Sequence, residues 1–121
     1  MFVLLVTLAG AFPALVQAHV HKPRHGGVVK EANGFVYELV ARPDEIVVFV
    51  TDESDQPVGT QGSSAELTLI DSAARVRVSL APAGANRLAA TGAFKVKPGM
   101  SALLEVGVGG KTVARLRYTL K

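Results

Sequence analysis

The chain has 121 residues, 49% of them hydrophobic, and 13 Lys and Arg against 10 Asp and Glu give a net charge of +3. That length suits one domain with its own core and is too short for two. The absence of cysteine excludes a disulfide framework, a lipid-modified cysteine anchor, a thiolate zinc site and the cysteine ligand of a blue-copper centre. The basic residues are scattered, without a run or aromatic interleaving, and give no sign of nucleic-acid binding.

Residues 1–18, MFVLLVTLAGAFPALVQA, carry no charge and are expected to be a secretory signal peptide, cut after Val16-Gln17-Ala18, whose small residues suit a signal peptidase. No Lys or Arg precedes the apolar run, which points to a start upstream of Met1. The competing reading is an uncleaved membrane anchor, because the first charge is Lys22 and the uncharged span is long enough to cross a bilayer. Gly10, Pro13 and the Ala-rich end favour the signal. After cleavage no membrane contact is expected.

The next stretch, Ala18-His19-Val20-His21-Lys22-Pro23-Arg24-His25-Gly26-Gly27, holds all three histidines of the chain. Beyond it, Gly27 to Glu31 reads as a first strand and Ala32-Asn33-Gly34 as a turn. Phe35 to Ala41 alternates, placing Phe35, Tyr37, Leu39 and Ala41 on the core face. Arg42-Pro43-Asp44 turns the chain into Glu45–Thr51, which is β-branched and aromatic on both faces and is expected to be an interior strand. The loop from Asp52 to Ser64 holds three acids in four residues. Their spacing does not match a calcium loop, so a solvated hairpin or sheet-crossing loop is the better reading.

Ala65–Asp71 and Ala74–Leu80 form a hairpin, with Val76, Val78 and Leu80 inward and Arg75, Arg77 and Ser79 outward. Asn86–Ala90 is a weak strand, and Phe94, Val96 and Pro98 lead to a turn at Pro98-Gly99. Ser101–Val108 buries Ala102, Leu104, Val106 and Val108. Gly109-Gly110 signals a tight hairpin, and Lys111–Lys121 turns Ala114, Leu116, Tyr118 and Leu120 inward, with Arg115 and Arg117 outward. Seven or eight short strands without a helix predict an all-β fold, an antiparallel β-sandwich of immunoglobulin-like or cupredoxin-like type. The expected division is 1–18 signal peptide, 19–27 metal-binding N-terminal segment and 28–121 β-sandwich.

The chemistry lies in the histidines. Once His19 leads the mature chain, its α-amine, the amides of Val20 and His21 and the His21 imidazole can wrap a planar ion in fused chelate rings. Neither Val20 nor His21 is proline, so both amides are available. Four planar nitrogens suit Cu(II) and Ni(II), and the stability order among divalent ions favours copper, with Zn(II) a further candidate for the site as a whole. His19 also offers a second mode through its own amine and imidazole, and His25 is a third candidate ligand beside Gly26-Gly27. The competing reading is a frayed terminus whose histidines are accidental. A flexible, exposed terminus would suit transfer, because an incoming ligand displaces one nitrogen at a time. No nucleophile motif, phosphate loop or dinucleotide fingerprint is present, and no histidine follows His25, so the protein is not expected to be an enzyme.

The run His-x-His, His25-Gly26-Gly27-Val28-Val29, then Tyr37-Glu38-Leu39-Val40, Thr51-Asp52 and Gln56-Pro57-Val58 resembles small periplasmic His-Gly-Gly proteins associated with heavy-metal efflux. The opening residues also resemble periplasmic copper-resistance carriers, which begin with His-x-His ahead of a β-sandwich. Those carriers complete their site with a downstream histidine that this chain lacks, and Met100 alone cannot form a methionine-rich Cu(I) site. The resemblance implies periplasmic metal binding, buffering or delivery, with an efflux adaptor or other envelope protein as partner. The alternative expectation is a structural or interaction module of the envelope, docking through a sheet edge or its arginine faces.

Overall fold

The computed structural model describes residues 21–110 and 112–121, so the leader, its cleavage point and His19 lie outside the described residues. Eight strands follow in order: β1 Val28–Ala32, β2 Phe35–Ala41, β3 Glu45–Asp52, β4 Ser64–Asp71, β5 Ala74–Pro82, β6 Arg87–Thr91, β7 Ser101–Gly107 and β8 Ala114–Thr119. No helix occurs among the described residues. Turn chemistry sets the hairpins. Asn33 and Gly34 take φ of 54° and 81°, the paired positive values of a tight hairpin turn, and pair Ala32 with Phe35.

All pairings are antiparallel, and one hydrogen-bonded sheet runs in the order β1-β2-β3-β6-β5-β4-β7-β8. Its two end strands, β1 and β8, lie against each other, so the sheet curls nearly into a barrel. The weakest join is in the middle, where β5 meets β6 through only Ala81↔Ala89 and Pro82↔Leu88. Pro82 can sit there because Ala83 donates its N–H to Arg87 O at 2.9 Å, which puts the proline at a register position that needs no donor.

The interior is filled by the inward residues of every long strand, among them Tyr37, Leu39, Val48, Leu67, Leu104 and Tyr118. Alternation assigns β7 and β8 correctly: Ala102, Leu104, Val106 and Val108 are buried, as are Ala114, Leu116, Tyr118 and Leu120. Tyr118 is buried with its hydroxyl donating to Tyr37 O at 3.0 Å, so the one polar atom it brings inside is satisfied.

Two assignments need correction. Val76 has the inward parity of Val78 and Leu80, yet it is 55% exposed, because β6 pairs with β5 only at Ala81 and Pro82 and does not reach that part of the strand. In β2 the core face was expected to be one-sided, but Val36, Glu38 and Val40 are buried along with Tyr37 and Leu39. The second face of β2 is covered by the chain segment ahead of β1, and that cover builds the candidate site.

Candidate functional site

Gly27 explains how the segment reaches the sheet. A Cβ at this position would sit 2.3 Å from Leu39 O and 2.9 Å from a Val40 methyl, so only glycine lets the backbone lie this close to β2. Directly beneath is Glu38, whose side chain is 7% exposed. Its Oε2 accepts from the backbone N–H of His25 at 2.8 Å and of Gly27 at 2.9 Å. Its Oε1 accepts from Arg24 N–H at 3.1 Å and lies 2.9 Å from His25 Nδ1. A carboxylate here substitutes for the strand partners that these amides lack. Burial alone would raise the Glu38 pKa, but the His25 ring and the three amides outweigh it and hold the carboxyl below its ordinary value of 4.5.

The His25 ring lies flat on Phe49, with centroids 3.6 Å apart and planes 4° apart. Glu38 and Phe49 are cross-strand neighbours of β2 and β3, so one register pair supplies both the carboxylate and the platform for the same imidazole. Arg87 adds its guanidinium over the Phe49 ring, 5.7 Å from its centroid, and lies 3.5 Å from Glu45.

His21 is held differently. Its side chain is 5% exposed, with Nδ1 2.8 Å from Asp55 Oδ1 and Nε2 2.6 Å from Glu31 Oε1. Arg24 reinforces the arrangement through Asp55, with Nη2 3.5 Å from Oδ2 and Nη1 donating to the Asp55 carbonyl at 3.4 Å. The expectation of a free, exposed terminus is therefore corrected at His21: carboxylates from β1 and from the loop after β3 fix the ring against the body.

The acidic loop is what delivers Asp55. Asp52 Oδ1 accepts from the N–H groups of Ser54 at 2.8 Å and Gln56 at 2.9 Å, and Asp55 N–H donates to Asp52 O at 3.0 Å. The turn places Asp55 at φ 61°, a conformation that aspartate tolerates better than most residues. Further along, the fully buried Thr60 hydroxyl lies 3.0 Å from Arg87 O and 3.2 Å from Gly84 O and shares its one proton between them, tying the loop to the β5–β6 turn. Two of the three acids are used internally, Asp52 as a cap and Asp55 as a histidine partner, while Glu53 is exposed.

His21 and His25 open onto one cleft of about 280 Å³, lined also by Lys22, Arg24, Glu38, Phe49 and Asp55. Among the described residues no group of three or more His, Cys, Asp or Glu side chains is arranged to hold a metal ion. Two of the three expected ligands thus share a cleft, and the third, His19, lies outside the described residues. Sequence reasoning missed Glu31, Glu38, Asp55 and Phe49. The one available signal was that Glu38 shares its strand face with Val36 and Val40, which is no solvated face. Comparison with family models, curated proteins and solved structures finds no match for the chain.

Proposed function

We propose that the protein is exported to the periplasm through a cleaved leader and there binds a transition metal, Cu(II) ahead of Ni(II) or Zn(II), buffering it or passing it to efflux or resistance machinery without covalent chemistry. The ligand set is the α-amine of His19, the amides of Val20 and His21 and the His21 imidazole, with His25 assisting. The observation that carries this reading is that His21 and His25 line one cleft directly after the position where the mature chain would begin. Glu38 supports it further. A carboxylate on one ring nitrogen orients an imidazole as metal-binding histidines are oriented, and with Nδ1 taken, Nε2 is the nitrogen left for a ligand. The resemblance to His-Gly-Gly proteins of metal efflux agrees with this role. The body is read as a flattened sandwich of cupredoxin-like or immunoglobulin-like kind, its halves joined at the short β5–β6 contact.

Titration of residues 19–121 with Cu(II), beside a form carrying one extra N-terminal residue, tests the proposal. A loss of affinity on extension is expected, and equal affinity rejects the amine as a ligand. Intact mass of the protein recovered from the periplasm fixes the first residue.

The open edge of β5 favours a second reading, an interaction module of the envelope. Between Ala74 and Leu80 this strand has no partner on its β6 side among the described residues, and exposed Val76 lies between Arg75 and Arg77. That arrangement suits an extended acidic segment adding to the sheet. On this reading, replacing the three histidines leaves capture of an efflux adaptor intact, whereas on the first it abolishes metal uptake.

A further inference from the structure

The planar cage and the folded position of His21 compete for the same atom. A chelate ring that starts at the His21 backbone nitrogen can close only through Nδ1, since Nε2 points away from the residue's own amide. Nδ1 is the nitrogen 2.8 Å from Asp55 Oδ1, and it cannot serve a carboxylate and a metal together. Turning the ring to meet the ion also takes Nε2 away from Glu31, now 2.6 Å away. We propose that Asp55 and Glu31 are affinity-setting residues, an internal competitor that holds the His21 ring and must be displaced before the cage forms. This inference rests on the reading of the N-terminal cage given above.

The consequence is a coupling between the metal and the contacts of the N-terminal segment. The cage forms from the fraction of molecules in which His21 has left its carboxylates, so the apparent affinity is reduced by that fraction. By linkage, the bound ion weakens the clamp by the same factor by which the clamp weakens the ion. Arg24 strengthens the competitor by holding Asp55, while His25, fixed separately by Glu38 and Phe49, keeps the segment docked when His21 swings out. The arrangement suits a carrier, because re-formation of the clamp helps expel the ion to an acceptor.

The test uses residues 19–121 with the natural first residue, titrated with Cu(II) against a competing chromophoric chelator. The variant carries Glu31→Gln and Asp55→Asn together. Both positions are half-exposed, and circular dichroism checks that the fold is kept. The expected result is a Cu(II) affinity about 10-fold higher in the variant, within the range usual for coupled sites. A second measurement needs no substitution. Planar Ni(II) complexes are diamagnetic, so the carboxyl carbon shifts of Asp55 and Glu31 are expected to move away from their metal-free positions when the wild-type protein is loaded, as each loses the His21 ring.

Equal affinity in both proteins, with an amide-nitrogen visible spectrum in each, overturns the competition and leaves the cage standing. Unmoved carboxyl shifts in the Ni(II) form do the same. Absence of Cu(II) binding in both proteins removes the cage itself, and the competition with it.

Discussion

Glu38→Gln separates the carboxylate's role from that of a merely hydrophobic cover. The wild-type side chain meets four donors, two at each oxygen: the amides of His25 and Gly27 at Oε2, and the amide of Arg24 with His25 Nδ1 at Oε1. Glutamine keeps the shape but only one acceptor, so two of these donors would face an NH₂ group. Leaving a buried donor unsatisfied costs about 1–3 kcal/mol, and the remaining bonds lose their charge assistance. Against this, an amide is easier to bury than a carboxylate. The net expected loss is about 2–3 kcal/mol, or roughly 8–24 °C in Tm for a domain of this size. Thermal and urea unfolding followed by circular dichroism measure it. Hydrogen exchange at Arg24, His25 and Gly27 shows whether the segment lifts off before the body unfolds. The pH dependence carries its own sign. Because the folded pKa lies below 4.5, the unfolded chain takes the proton first, so the Glu38 contribution is present above about pH 4.5 and fades as pH falls through the folded value. Glu38→Gln is expected to lack that acid-side loss. A Tm within 2 °C of wild type, with the three amides still protected, would refute the reasoning.

Gly27→Ala is expected to cost at least about 1–3 kcal/mol and to loosen the His25 segment, since the added methyl meets the Leu39 carbonyl rather than a movable side chain; urea midpoints check this. Tyr118→Phe deletes the bond to the Tyr37 carbonyl and is expected to lower stability by about 1 kcal/mol, read from the same curves. Both tyrosines of the chain have raised pKa values, through burial and, at Tyr118, additionally through the charge of Tyr37. Their contribution to stability is present below pH 10.0 and is lost as pH rises through the folded values, so absorbance at the tyrosinate band is expected to rise at higher pH in the folded protein than in the urea-unfolded chain. Leu104→Ala, at a fully buried position, is expected to lose about 2–5 kcal/mol by thermal unfolding, and a smaller loss would show that the cavity collapses.

Much of the fold is legible locally. Alternation in Ser101–Val108 and in Ala114–Leu120 names the buried residues, because a strand with one covered face must place every second side chain inward. Asn33-Gly34 names its turn for an equally local reason, a backbone that requires positive φ. The site is legible only as a cluster of histidines. Nothing near His21 in sequence points to Asp55, which lies 34 positions away, and nothing near His25 points to Glu38 or Phe49.

The sequence by itself determined the all-β class, the turns and most of the inward residues, since each follows from the local preferences of side chain and backbone, and it places every histidine near one end. Only the tertiary structure decided that the sheet curls until its end strands meet, that Val76 stays in solvent, and that the segment before β1 folds back over Glu38. Those outcomes depend on which strands become neighbours. That choice also determines which carboxylates face His21 and His25, a matter of long-range pairing that no local pattern encodes.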